Sequence, residues 1–403
     1  MNPLARLLAR LSKPKPATTD RSQPHTFDSE RITETIDRAL ASAGVDQQAG
    51  PAKGIRATIE DALRQAGLRQ AEPITADRTA TDPATDTIGA RRGRVVAPSA
   101  TPAPAAGGEF LNRSFNNQAG TRAYKLYIPI GYAAASKPVP LIVMLHGCTQ
   151  TPDDFAAGTR MNALADAHGF LVVYPAQAAR DNGSKCWNWF RVGDQLRERG
   201  EPSLIAGITR AVAADYRIDE GRVFVAGLSA GAAMAVILGE TYPDVFAAVG
   251  AHSGLPFGAA HDVPSALAAM KGGAGMAGLP GTRPPRRERS GPAMPSIVFH
   301  GTADRTVDQR NGLAIVDDIT SAAAGNARLQ ASSHEGKVEG GRGYTREVFT
   351  DPAAQPVVEL WIVHGAGHAW SGGSAQGTYT DPSGPDASAE MVRFFLQQRH
   401  GRG

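Results

Sequence analysis

The chain has 403 residues, of which 42% are hydrophobic and 20% charged, and carries a formal net charge of +3. Lys and Arg are scattered rather than gathered into a basic stripe, which argues against a nucleic-acid binder. No apolar run reaches the roughly 20 residues of a membrane-spanning helix, and two cysteines, Cys148 and Cys186, are too few for a disulfide scaffold.

In chain order, residues 1–28 read as a disordered, basic N-terminus. Its opening, MNPLARLLARLSKPKP, alternates Leu with Arg and lacks the continuous apolar core of a secretory signal peptide, so a cytoplasmic location is expected. Residues 29–70 hold two matching segments, ITETIDRALASAG at 32–44 and IRATIEDALRQAG at 55–67, identical at seven of 13 positions. Ile32, Ile36, Ala39, Leu40 and Ala43 recur at helical spacing, and Gly44 and Gly67 suit helix C-termini, so a tandem of short amphipathic helices is predicted. The tandem is either a hairpin whose stripes cover each other or a duplicated docking motif for a partner or a polymer granule. Residues 71–108, rich in Pro, Ala and Thr, have linker composition.

From 109 to 400 the pattern becomes α/β. Strands are predicted at 121–129, 140–147, 170–175, 222–227, 295–301 and 357–365, several of them continuous apolar runs typical of buried parallel strands. Between them lie helical segments: TRMNALADAHG, IAGITRAVAADY, AAMAVILGETYP and NGLAIVDDITSAA. This alternation predicts a mostly parallel sheet with helices on both faces, its chemistry beyond the carboxyl ends of the strands. Residues 256–294, rich in Gly, Pro and Arg, form an insert between two strands, read as a mobile flap or a long loop.

Gly227-Leu228-Ser229-Ala230-Gly231 follows a strand and opens an Ala-rich helix, the context in which G-x-S-x-G marks a nucleophile. A serine hydroxyl needs a general base that is itself held in place, and an elbow serine precedes its acid and then its histidine. Asp304, just past the strand in PSIVFHGTADRTVD, is the favoured acid over Asp308, which falls where a helix begins. His368, beyond Gly365-Ala366-Gly367, is favoured as the base over His364, which abuts the strand. His252, His300 and His334 read as packing or surface residues. The Ala230 and Cys148 amides are the candidate oxyanion donors, the latter in the turn His146-Gly147-Cys148, where His146 would brace the loop.

LHGCTQTPDDFAAGTRMNALADAHGFLVVYP, KCWNWF, GLSAGAAMA, SGLPFGAAHDVPSALAAM, HGTADRTV and GAGHAWSGG together resemble the polyhydroxybutyrate depolymerase family of esterases, related to feruloyl and acetylxylan esterases, over roughly 110–400. The resemblance implies an α/β-hydrolase fold and a Ser229–Asp304–His368 triad; acyl transfer by such a triad needs no metal or organic cofactor. It places Cys148 and Cys186 near the pocket mouth, where a disulfide would brace the oxyanion loop. It makes Trp187, Trp189 and Trp370 candidates to face substrate, with core packing the competing reading. Members of the family are often secreted, against the cytoplasmic expectation from the N-terminus. Poly- or oligo-hydroxyalkanoate esters are the expected substrates. A feruloyl or acetylxylan esterase is the alternative, and a non-catalytic polymer- or granule-binding protein is an alternative of another class.

Overall fold

A computed structural model describes residues 108–272, 293–324 and 329–400, all within one compact unit, Asp86–Gly403. The expectations for 1–107, including the tandem helices and linker, and for 273–292 of the insert lie outside the described residues.

The chain opens with an antiparallel pair, β1 (Glu109–Asn117) and β2 (Gly120–Ile128), then β3 (Val139–Leu145), helices α1 (Pro152–Thr159) and α2 (Met161–His168), and β4 (Leu171–Pro175). It continues through α3 (Gly200–Asp215), β5 (Ile218–Leu228), α4 (Ala230–Thr241), β6 (Ala248–His252), α5 (Val263–Met270), β7 (Ser296–Gly301) and α6 (Arg310–Ala324). The hairpin β8 (Gln330–Lys337) and β9 (Gly343–Thr350), then β10 (Pro356–Val363), the short pair β11 (Trp370–Ser371) and β12 (Thr380–Asp381), and α7 (Ala387–Leu396) complete it.

Ten strands form one sheet in the order β1-β2-β4-β3-β5-β6-β7-β10-β9-β8. From β4 to β10 every pairing is parallel, and the flanking strands pair antiparallel. The parallel centre arises because its strands are apolar on both sides. In β3, Leu141, Val143 and Leu145 enter one core with α3 and α4, while Ile142 and Met144 enter the opposite core with α1, α2 and α7. β5 divides the same way: Val223 and Val225 on one side, Phe224, Ala226 and Leu228 on the other. Two apolar faces can be covered only by two helical layers.

Sequence reading found β2, β3, β4, β5, β7 and β10 but missed the short central strand β6 and the rim strands β1, β8 and β9. β1, β8 and β9 are mostly exposed or half-buried and carry no apolar run. Strand order reverses between β3 and β5: β4 follows β3 on one flank and β5 returns to the other. The loops leaving β3 and β5 therefore part at a topological switch point, where open α/β sheets form a crevice. His146-Gly147-Cys148 and Ser229 lie on those two loops.

The insert requires a correction. Its first part is a capped helix, α5, whose N-cap Asp262 accepts from Ser265 N–H at 2.8 Å. α5 is tied to the loop after β7 and the first turn of α6: Asp308 N–H donates to Met270 O (2.8 Å), Asn311 Nδ2 to Ala269 O (2.9 Å) and Lys271 Nζ to Arg305 O (2.7 Å). Residues 256–272 are a built buttress rather than a free flap.

Candidate active site

β5 ends at Leu228 and α4 begins at Ala230, so Ser229 is the single residue of the turn. Its backbone sits at φ 57°, ψ −119°, a conformation that costs a non-glycine residue about 1–3 kcal/mol and persists only where its surroundings enforce it. Ser229 N–H donates to His252 O on β6 (2.9 Å), and Ser229 O accepts from Ala233 N–H (3.0 Å). The motif glycines serve close approach. A Cβ on Gly231 would lie 2.1 Å from Leu145 O, and one on Gly227 2.4 Å from the Gly231 carbonyl carbon. Helix, elbow and the end of β3 are thus in backbone contact. The first-turn amides of α4, Ala230 among them, have no acceptor within the helix and lie at the positive end of its dipole.

Asp304 leaves the end of β7. Its Oδ1 accepts from Thr306 and Val307 N–H, both at 2.9 Å, and its Oδ2 from His368 Nδ1–H at 2.8 Å. The carboxylate has no exposed surface. Burial alone would raise its pKa, but the bonds from His368 and the Val307 amide outweigh burial and hold it down at about 2. Behind it, the buried His300 ring donates through Nε2 to Val307 O at 2.8 Å, bracing the turn, and lies 3.6 Å from Asp304 Oδ2. Burial lowers the His300 pKa and keeps the ring neutral.

His252 joins the elbow to the base loop, a role that reading it as packing missed. Its carbonyl holds Ser229, while its ring Nε2 accepts from Ser371 N–H at 3.0 Å, three residues beyond His368. The ring stacks between Phe299 and Trp370 at 5.7 and 5.2 Å. Full burial, with His300 and His368 adding to it, depresses its pKa to about 3, so it stays neutral and Nε2 stays an acceptor. Its place at the end of a five-residue strand was the one available signal.

On the β3 side, Gly147 N–H donates to Gln150 Oε1, Thr149 N–H to Ser184 O and Gln150 N–H to Gly147 O. Those bonds leave the Cys148 amide as the loop's candidate donor. Cys148 is disulfide-bonded to Cys186. His146 Nε2 accepts from Gln177 N–H (3.1 Å), and its Nδ1–H donates to Gly147 O (2.7 Å). Burial lowers its pKa to about 4, so it braces the loop as a neutral ring. Beneath lies a buried polar network. Glu201 accepts from Asn188 N–H and Nδ2 (2.7 and 2.8 Å) and from Gln177 Nε2. Arg122 Nη2 stands 3.7 Å from Glu201, and Gln177 reaches Cys186 O at 2.9 Å.

The three tryptophans need correction as substrate-facing candidates. Trp187 and Trp370 are 0% and 1% exposed and Trp189 is 6% exposed. Trp187 Nε1–H donates to His146 O and Trp370 Nε1–H to Ser388 Oγ, both at 3.0 Å. Their ring surface and polar handles are spent on the interior, so they shape the loops from behind. Asp308 accepts from Arg310 N–H at 2.9 Å and pairs with its guanidinium at the start of α6. His364 is exposed and bonded to Thr345 Oγ1 at 2.9 Å. Neither contacts the Asp304–His368 pair. Among the described residues no group of three or more His, Cys, Asp or Glu is arranged to hold a metal ion, and no helix is long and apolar enough to cross a membrane.

A mostly parallel sheet clad by helices on both faces, with a strained serine turn at its switch point, defines an α/β-hydrolase. Sequence comparison narrows the class: residues 122–332, more than half of the chain, match the family described as Esterase PHB depolymerase, and the chain belongs to that family. The match takes in Ser229 and Asp304 and ends before His368. The chain is similar to poly(3-hydroxyalkanoate) depolymerase C of Paucimonas lemoignei, 33% identical over 274 residues, covering 67% of this chain and 61% of that protein. Feruloyl esterase B of Neurospora crassa is 36% identical over 132 residues, 32% of this chain and 44% of that protein. The chain thus spans less than two thirds of these relatives. In fold it resembles an acetyl xylan esterase from Aspergillus awamori, with a TM-score of 0.53 and 19% identity over 72% of this chain and all of that one.

Proposed function

We propose that this protein is a serine carboxylic-ester hydrolase acting through an acyl-serine intermediate, with hydroxyalkanoate oligomers or polymers as substrates. The observation that carries the reading is the bond from His368 Nδ1–H to the buried Asp304 carboxylate at 2.8 Å. It fixes one tautomer of the ring and leaves Nε2 unprotonated, the form a general base requires.

In this mechanism Nε2 takes the Ser229 proton as Oγ attacks the ester carbonyl. The Ala230 and Cys148 N–H groups receive the negative charge that develops on the carbonyl oxygen. The imidazolium, stabilised by Asp304, returns its proton to the departing alcohol. Water, deprotonated by the same nitrogen, then releases the acid. The polyester preference rests on the depolymerase similarity, which extends over twice as much of the chain as the feruloyl esterase one.

Wild type and Ser229→Ala compared on p-nitrophenyl butyrate test the chemistry, with loss of about 10³-fold or more expected. Equal turnover by both would refute the esterase reading and favour a binding protein. Parallel assays on hydroxybutyrate oligomers, methyl ferulate and acetylated xylan test the substrate, and activity on ferulate alone would overturn the polyester assignment. We propose also that residues 109–400 form the catalytic domain and that the helical tandem at 32–44 and 55–67 serves contact with a partner or granule. Removal of residues 1–108 is then expected to leave small-ester turnover nearly unchanged.

A further inference from the structure

We propose that Tyr379 is the aromatic residue that contacts substrate, holding the repeat unit next to the scissile ester of an oligomeric hydroxyalkanoate. The proposal rests on the esterase reading above. With Trp187, Trp189 and Trp370 buried, Tyr379 is, among the described residues, an aromatic ring left in the open beside both candidate catalytic loops, 47% exposed.

Its setting is built rather than incidental. Tyr379 has φ 53°, in the left-handed region where Cβ crowding disfavours any residue but glycine. Contacts on both sides enforce it. Tyr379 O accepts from Trp370 N–H at 2.7 Å, two residues beyond His368. On the preceding residue, Thr378 N–H and Oγ1 donate to Asp154 (2.9 and 2.6 Å), and Thr378 O accepts from Gln150 Nε2 (3.0 Å). On the following one, Thr380 pairs with Trp370 across β11 and β12.

The hydroxyl end is fixed as well, 3.3 Å from Thr149 Oγ1. The Thr149 hydroxyl donates to Cys148 O at 2.6 Å, so its oxygen is the acceptor and Tyr379 O–H the donor. Thr149, at φ 67°, is itself held left-handed beside Cys148. The tyrosine thus spans from the loop of the base to the loop of the oxyanion donor, tethered at its backbone and its hydroxyl, with ring surface free. A tethered ring with two torsions loses little entropy when a chain lies against it. The methyl-bearing units of a hydroxyalkanoate offer apolar groups to such a surface, whereas an acetyl ester offers one methyl and no neighbouring unit.

The test measures binding apart from turnover. In a Ser229→Ala background, affinity for a hydroxybutyrate trimer is read by calorimetry with Tyr379, Tyr379→Phe and Tyr379→Ala. Affinity is expected to fall about tenfold in Tyr379→Ala and by much less in Tyr379→Phe, the scale of losing apolar contact in a pocket. In enzymes with Ser229 intact, the ratio of kcat/KM for trimer to that for p-nitrophenyl acetate is expected to fall by a similar factor in Tyr379→Ala. An unchanged affinity, no trimer binding at all, or equal losses in the Phe and Ala variants would each overturn the ring contact. Absence of turnover by the wild type, with the affinity pattern intact, would sink the esterase reading instead.

Discussion

On the β3 side of the cleft, the loop at His146–Cys148 is held by a covalent bond to Cys186, by the Trp187 indole and by a buried cluster of Glu201, Gln177, Asn188 and Arg122. On the β7–β10 side, Asp304 and His368 sit on short turns with no covalent cross-link: hydrogen bonds hold them, His300 stands 3.6 Å behind Asp304, and Arg342, paired with Asp381, donates to Gly365 O ahead of His368. The difference follows from what each side would do in ester cleavage. An oxyanion donor works only if it is aimed before charge develops, which rewards rigidity. A general base must accept a proton from one oxygen and deliver it to another, and an imidazole on a glycine-flanked loop has that freedom. Damage to the first side should therefore appear in stability, and damage to the second in rate.

Asp304→Asn is expected to give the largest effect. The amide holds the wrong tautomer of His368, and kcat should fall about 10³- to 10⁴-fold by initial-rate assay. Stability near neutral pH should fall by about 2 kcal/mol at most, less than the roughly 4–5 kcal/mol that the rate loss represents. A melting temperature that collapses with the rate would erase the contrast between the two sides. Cys186→Ser probes the other side. Opening a cross-link between residues 38 apart removes about 4 kcal/mol in the chain-entropy account, an upper figure for engineered cases. Urea titration of the variant, or of the reduced wild type, checks it, and an unshifted midpoint would show that the buried network alone holds the loop.

The acid limb of the stability profile sharpens the picture further. Asp304 has its pKa lowered to about 2 by the His368 and Val307 bonds, despite burial. A depressed carboxylate stabilises the fold above its unfolded value near 4, and that contribution disappears as pH falls from about 4 to 2. Its size is about 2 kcal/mol. Denaturant titrations at several pH values should show this loss in the wild type and its absence in Asp304→Asn. The smallest effect is expected from His364→Ala. The residue is exposed and its ring bonds half-buried Thr345 beside Gly343, so stability should move by less than about 0.5 kcal/mol and turnover should not move. A rate loss comparable to that of His368→Ala would reopen the choice of base.

Much of this protein is legible in its amino-acid order, because some physical signals are local. The buried centre of the sheet shows in β3, β5 and β7 as uninterrupted apolar runs, since strands covered on both faces have no polar side to alternate with. The elbow shows in Gly227 and Gly231, where any Cβ would collide with neighbouring backbone. The order of Ser229, Asp304 and His368 along the chain marks them as candidates, and the fold places the latter two in contact. Other features are decided only by tertiary packing. β1 and β8 are edge strands and β9 lies next to an edge; their largely polar sequences are ordered by the neighbours they pair with. His252 looks like any core histidine until β6 sets its carbonyl against Ser229 and its ring against Ser371. Whether a tryptophan or Tyr379 meets solvent cannot be read from residue type. Exposure depends on which side of a loop faces the crevice, and three-dimensional closure of the β3, β10 and β12 ends settles that.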